Sequence, residues 1–206
     1  MAHEIDNSNN RDNMAYTGEV PWHGLGFKLT ENASIGEWKK AAGMEWEALM
    51  SPIKFDIGKK EHTYDERYVL YRSDTGAPLY LVSGSYKPVQ PGDILEYFRE
   101  AVEKFGFKMD TAGCLRGGRK VWALGNNDDT FKLSKNDAVK RKILAATSYD
   151  MTIATIFDQT SIRVVCNNTL SAAIGAKSNA RLSFKHLRSL TIDEVKQKMA
   201  FDEQWK

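Results

Sequence analysis

Apolar and polar residues alternate at a period of two over much of the chain, and short stretches of helical spacing interrupt the alternation. Ile53-Lys54-Phe55-Asp56-Ile57 predicts a strand over 53–60 with one wet face. Residues 67–72 and 79–82 read as strands joined through Ser73-Asp74-Thr75-Gly76, whose turn chemistry makes the pair a hairpin. Residues 107–115 and 120–124 flank Arg116-Gly117-Gly118-Arg119, and two glycines between two strands predict a tight hairpin turn. Residues 126–137 read as a polar loop, and 138–147, 152–157 and 161–165 as three further antiparallel strands.

Four helices are expected. Ser34 and Glu37 form a capping box before a short helix that Gly43 closes. Asp93 caps a helix over 94–105, with Ile94, Leu95, Phe98, Ala101, Val102 and Phe105 on one stripe and Gly106 at its end. Asn168 caps a helix that Gly175 stops, and Thr191 with Glu194 opens a last one running to about Trp205. Pro21-Trp22-His23-Gly24-Leu25-Gly26 holds too many breakers for a regular element and reads as a loop docked through Trp22 and Leu25. Many short strands without βαβ alternation predict an α+β fold, a hairpin-rich antiparallel sheet with a few packed helices. The expected organisation is a flexible polar arm at 1–20, one α+β domain at 21–190 and a C-terminal helix at 191–206.

With 206 residues the chain is large enough to bury a core without metal or disulfide staples. Its two cysteines, Cys114 and Cys166, read as free buried thiols in a reducing compartment, with a single bridge between them as the alternative. The first twenty residues show neither a basic nor an apolar leader region, and no stretch has the length to span a bilayer. A cytoplasmic protein without a membrane partner is expected.

The net charge of +2 conceals an asymmetry. Residues 1–103 carry 11 Lys/Arg against 17 Asp/Glu, whereas residues 104–206 carry 18 against 10. A basic half points to a polyanion partner, or to nothing more than charged helical faces and loops. No Cys or His pair has zinc spacing, and neither a phosphate-binding Gly-Lys-Ser/Thr loop nor a dinucleotide fingerprint is present. His3, His23, His62 and His186 lie in no nucleophile-elbow context. Asp128, Asp129 and Asp150 are the weak candidates for a metal nuclease. The reading is therefore a non-enzyme with no cofactor and no metal.

The remaining constellation is basic. Arg116, Arg119 and Lys120 frame a glycine turn, and Trp122 follows on the strand. Glycine turns admit anions to backbone N–H groups, and an aromatic beside arginines can stack bases of a single strand. The alternative for the same segment is an ordinary hairpin turn with a core Trp. Lys140, Arg141 and Lys142 make a second cluster, with Arg163 placed on a strand nearby. Lys177, Arg181, Lys185, His186 and Arg188 make a third.

Several stretches resemble the phage/plasmid-like protein family, whose domain has no assigned function. They are Met14-Ala15-Tyr16 through Gly26, Tyr71 through Gln90, Ala112-Gly113 to Trp122, and Arg163 through Leu170. The resemblance implies a bacterial host cell and a phage or plasmid context. Members look similar in pattern to single-strand annealing proteins, in which a hairpin-rich sheet and one long helix make a ring subunit with a basic DNA groove. The basic half, the Arg/Gly/Trp hairpin and the lack of a catalytic constellation lead to the first expectation, a homo-oligomer that binds and anneals single-stranded DNA during recombination, with Arg116, Arg119, Lys120, Trp122, Lys140, Arg141, Lys142 and Arg163 as the nucleic-acid-binding residues. The other expectation is a protein-interaction module that modulates host defence or replication through a host protein partner.

Overall fold

The computed structural model describes residues 3–104, 106–134, 137–176, 178–186 and 189–201. It is α+β, with four helices and two sheets that are antiparallel except for one parallel pair. In chain order the elements are β1 (Met14–Tyr16), β2 (Phe27–Lys28), α1 (Ile35–Ala41), β3 (Ala48–Ile57), β4 (Lys60–Arg72), β5 (Pro78–Ser83) and α2 (Pro91–Lys104). There follow β6 (Lys108–Leu115), β7 (Lys120–Ser134), β8 (Asp137–Ser148), β9 (Thr155–Thr160), α3 (Asn167–Gly175), β10 (Leu182–Phe184) and α4 (Ile192–Phe201).

Seven strands form the main sheet in the order β10-β9-β8-β7-β6-β1-β2, and β3-β4-β5 form a second sheet. The centre of the main sheet is buried on both faces. Val121 and Ala123 of β7, with Ile143 and Ala145 of β8, belong to a core cluster that contains Ile94, Leu95 and Phe98 of α2. Their neighbours Trp122, Leu124, Leu144 and Ala146 belong to the opposite cluster, which contains Leu170 and Ala173 of α3. This is the period-two rule operating between two covers. The inner face of the second sheet (Ala48, Leu70, Val82) joins the α2 side.

Local signals place several elements where the sequence puts them. Ser34 caps α1 in a complete capping box, with the Ser34 N–H donating to Glu37 Oε2 at 2.7 Å. Thr191 and Glu194 cap α4 reciprocally. The helix expected from residue 94 begins at Pro91, because proline suits the first helical turn; Asp93 lies inside that turn and is not its cap. Cys166, not Asn168, is the N-cap of α3, and Thr169 Oγ1 accepts from the N–H groups of Val165 and Cys166.

Other expectations are corrected by tertiary pairing. Residues 3–17 are not a loose arm. β1 pairs with β6, Ile5 bridges Leu115, and Met14, Ala15 and Asn13 are fully buried. The polar run after Gly125 is not a loop, since β7 continues to Ser134 opposite β8. Residues 161–165 are not a strand. Leu25 packs on the core, but Trp22 is 72% exposed. The parallel β1–β2 pair makes the main sheet mixed where an antiparallel one was expected.

Candidate nucleic-acid interface

The β6–β7 turn was the leading candidate, and its geometry is that of a packed hairpin. Arg116, Gly117 and Gly118 all have positive φ, which is why glycines occupy the last two positions. Gly118 also admits a close approach: a Cβ there would come within 2.9 Å of the Arg72 guanidinium and the Trp46 ring. The Arg116 N–H donates to Glu4 O and the Gly118 N–H to Leu115 O, so these donors are spent inside the protein. The Arg116 side chain holds Glu4 through two hydrogen bonds, from Nε to Oε2 at 2.8 Å and from Nη2 to Oε1 at 3.2 Å. A cleft of about 630 Å³ adjoins the turn, and it contains Glu4, Asp6 and Asp150 as well as Arg116 and Arg119. Lys120 is buried. The turn is therefore not assembled as an anion cradle.

Trp122 is fully buried, and its Nε1–H donates to Thr111 Oγ1 and Val164 O, each at 3.2 Å. It cannot stack on a base. The reason lies in the fold: over Val121–Leu124 β7 is a central strand covered on both faces, so neither side of that stretch offers an exposed platform.

The second cluster is also internal. Buried Lys142 donates to Asp110 Oδ2 at 2.7 Å. Arg163 binds Asp110 Oδ1 from Nε at 3.1 Å and from Nη2 at 2.9 Å, and also reaches Thr17 O. One buried carboxylate thus compensates two cations. Arg141 is half-buried, and the Lys140 side chain lies outside the described residues. Asp110 is six positions along the chain from Arg116, a strand distance of roughly 20 Å. The two clusters therefore sit at opposite ends of the β6–β7 hairpin and do not converge. In the third, Arg181 is paired with Asp158. His186 is inserted between Tyr86 Oη at 2.7 Å and the Thr147 and Thr155 hydroxyls at 3.2 and 3.1 Å. Lys177 and Arg188 lie outside the described residues.

The catalytic alternatives find no constellation among the described residues. Both thiols are free and buried, and burial pushes the Cys114 thiol far up, away from a nucleophilic thiolate. No group of three His, Cys, Asp or Glu side chains with metal-holding geometry occurs among the described residues. The side chains of Asp128 and Asp129 lie outside them. No helix among the described residues is long and apolar enough to cross a membrane.

Sequence reasoning missed a different surface. Of the ten exposed large apolar side chains among the described residues, six (Leu49, Phe55, Ile57, Tyr64, Tyr80 and Leu81) belong to the second sheet. Ala48, Leu70 and Val82 turn inward. Strand alternation therefore turns Leu49, Val69 and Leu81 outward, and carries the same face along β3 to Ile53, Phe55 and Ile57. Beyond Pro52, β3 and β4 leave the body as an arm, with both faces exposed. Its register places Ile53 opposite Tyr64, Phe55 opposite His62 and Ile57 opposite Lys60. The Phe55 and His62 rings stack at 5.6 Å between centroids. Charges fall on both faces of the arm: Lys60 stands with the apolar residues, and Glu66 accepts from the Tyr64 hydroxyl at 2.9 Å. Lys54, Asp56, Glu61 and Thr63 occupy the reverse face, where Lys54 pairs with Glu61 at 2.8 Å.

At the base of the arm, a cleft of about 620 Å³ is lined by Arg67, Val69, Pro78, Leu79, Tyr80, Leu81 and Arg119. Arg119 thus lines a cleft with an exposed aromatic, Tyr80 in place of Trp122. The alternation at 53–57 signalled a strand, but no local pattern tells that its apolar face is left uncovered.

Neither the curated proteins nor the solved structures contain a match to the chain. Residues 78–204, from the start of β5 through strands β6–β10 of the main sheet to α4, match the domain of unknown function DUF932, and the chain belongs to that family.

Proposed function

We propose that the chain is a non-enzymatic protein that binds single-stranded DNA, and anneals it, in phage or plasmid recombination, using the outer face of the β3-β4-β5 sheet. One observation carries this reading. Exposed Phe55 and Tyr64 stand on the apolar face of the arm with His62 and Lys60, with Glu66 against the Tyr64 hydroxyl, and at the base of the arm Tyr80, on the edge strand opposite Leu70, lines a cleft with Arg67 and with Arg119 of the β6–β7 turn, while Asp56 and Glu61 are turned to the reverse. Bases stack on aromatic rings whatever their sequence, and cations alongside hold the phosphates. Annealing needs no energy source, because base pairing drives it.

Fluorescence anisotropy with a labelled oligonucleotide tests the proposal. Binding that weakens steeply with salt, and that is lost on Tyr80→Ala with Arg119→Ala, is expected. Absence of binding at low salt would falsify it.

A second reading has its own support. Leu49, Ile57 and Leu81 are aliphatic and exposed on the same sheet, which suits a protein partner better than a base. Capture of one stoichiometric host protein, insensitive to nuclease and lost on Leu81→Asp, would favour that interaction module over the nucleic-acid reading.

A further inference from the structure

β3 is an edge strand, and its free edge is restricted to a short stretch. At its start, Ala48 exchanges hydrogen bonds with the Gln90 side chain, the Ala48 N–H donating to Oε1 at 2.7 Å. Pro52 has no N–H to offer, and the ladder to β4 shifts register beside it. Beyond that point Ile53–Ile57 has β4 on one side and, among the described residues, no strand on the other. A two-stranded ribbon with both faces wet is marginal in water and gains most from a third strand. An unpaired edge is a template for one.

The segment Ile53-Lys54-Phe55-Asp56-Ile57 is complementary to itself when reversed. We propose that β3 pairs antiparallel with β3 of a second copy, on a two-fold axis through Phe55. Phe55 then faces the partner's Phe55, Ile53 faces the partner's Ile57, and Lys54 faces the partner's Asp56. Symmetry repeats each unlike pair. The two apolar faces become one continuous face across four strands. Centring the axis on Lys54 or Asp56 instead sets like charges opposite each other, which destabilises a sheet. Centring it between residues turns the partner's apolar face to the other side.

The charges on the arm also call for such a partner. Asp56 lies directly across from Glu61, a like charge, while Lys54 is bonded to Glu61. No cation among the described residues is paired with Asp56. The partner's Lys54 supplies one. The pairing uses the edge of the arm, and is independent of whether nucleic acid occupies the outer face.

Sedimentation velocity on the nuclease-treated full chain is the test. Dimerisation is expected in the wild type. Asp56→Lys is expected to weaken it on the order of tenfold or more, because two like-charge pairs replace two unlike ones. That substitution sets Lys opposite Glu61 within the arm, so loss of the dimer cannot be assigned to an unfolded hairpin. The double variant Lys54→Asp/Asp56→Lys restores the unlike pairs and the dimer. Phe55→Cys is expected to form an intermolecular disulfide on oxidation, since the axis brings the two positions together and the native thiols are buried. A wild type still monomeric at about 100 μM, too weak for a specific interface, overturns the proposal. So does an Asp56→Lys variant that dimerises as the wild type does, or a double variant that stays monomeric.

Discussion

Arg72 Nη1 donates to Asp6 Oδ2 at 2.7 Å, joining the N-terminal segment to the second sheet across 66 positions of sequence, and both side chains are 1% exposed. Asp6 also accepts from Asn13, and Arg72 makes two more hydrogen bonds to Asp74 while lying over the Trp46 ring at 4.7 Å. Burial opposes ionisation of Asp6, but the hydrogen bonds from Arg72 and Asn13 and the Arg72 charge outweigh it and hold the carboxyl below its usual range.

Arg72→Met is expected to lower unfolding free energy by about 3–5 kcal/mol, because Asp6 stays buried without its cation. Urea denaturation measures this. Asp6 also predicts an acid limb. Its folded pKa lies below the unfolded value of about 3.9, so its contribution is complete above that pH and lost as pH falls through the folded pKa.

His186 predicts a second, milder pH dependence. Burial lowers its pKa. The unfolded chain therefore takes up the proton first, as pH drops below about 6.5, and stability declines from there down through the folded pKa. Thermal melts between pH 7.5 and pH 5 should show the decline, and His186→Gln should flatten it.

Trp122 separates packing from binding. Trp122→Ala is expected to cost about 3–5 kcal/mol, since it empties a fully buried site and frees two hydrogen-bond acceptors. Trp122→Phe should cost less and leave oligonucleotide affinity unchanged. A selective loss of affinity in that variant would restore Trp122 to the interface.

Tyr80 and Arg119 carry the opposite expectation. Tyr80→Ala should weaken single-strand binding by about 1–3 kcal/mol with little change in melting temperature. Arg119→Ala should flatten the salt dependence of affinity by about 0.7 of a unit. Titrations from low to moderate salt measure both.

Gly113→Ala is expected to be severely destabilising, because a Cβ there meets the Trp122 ring and, at 2.8 Å, the Asn13 carbonyl. Gly117→Ala meets no atom within 4 Å but has φ +68, so only backbone strain of about 1 kcal/mol is expected. Comparing the two melts distinguishes crowding from strain.

The sequence by itself determined what depends on near neighbours. The capping boxes at Ser34 and Thr191, the glycine turn at 116–119 and the alternation along β8 are short-range patterns and place those elements; along β3 and β7 the alternation marks a strand but not its extent, since β3 begins at Ala48 and ends at Ile57 and β7 runs on to Ser134. Tertiary structure decided everything that depends on what covers a face. Alternation shows that Trp122 and Phe55 each stand on an apolar side of a strand, and it cannot tell them apart. Trp122 is buried because Met14, Val164, Val165 and Leu170 join its cluster on that face of the main sheet, and Phe55 is exposed because none of the described residues closes over the arm. Charge behaved the same way. Lys142 and Arg163 count toward a basic half of the sequence, but the fold brings Asp110 between them and consumes both. Sequence fixes the sign of a charge, whereas its availability to a ligand is set by the carboxylates that folding brings within a few ångströms.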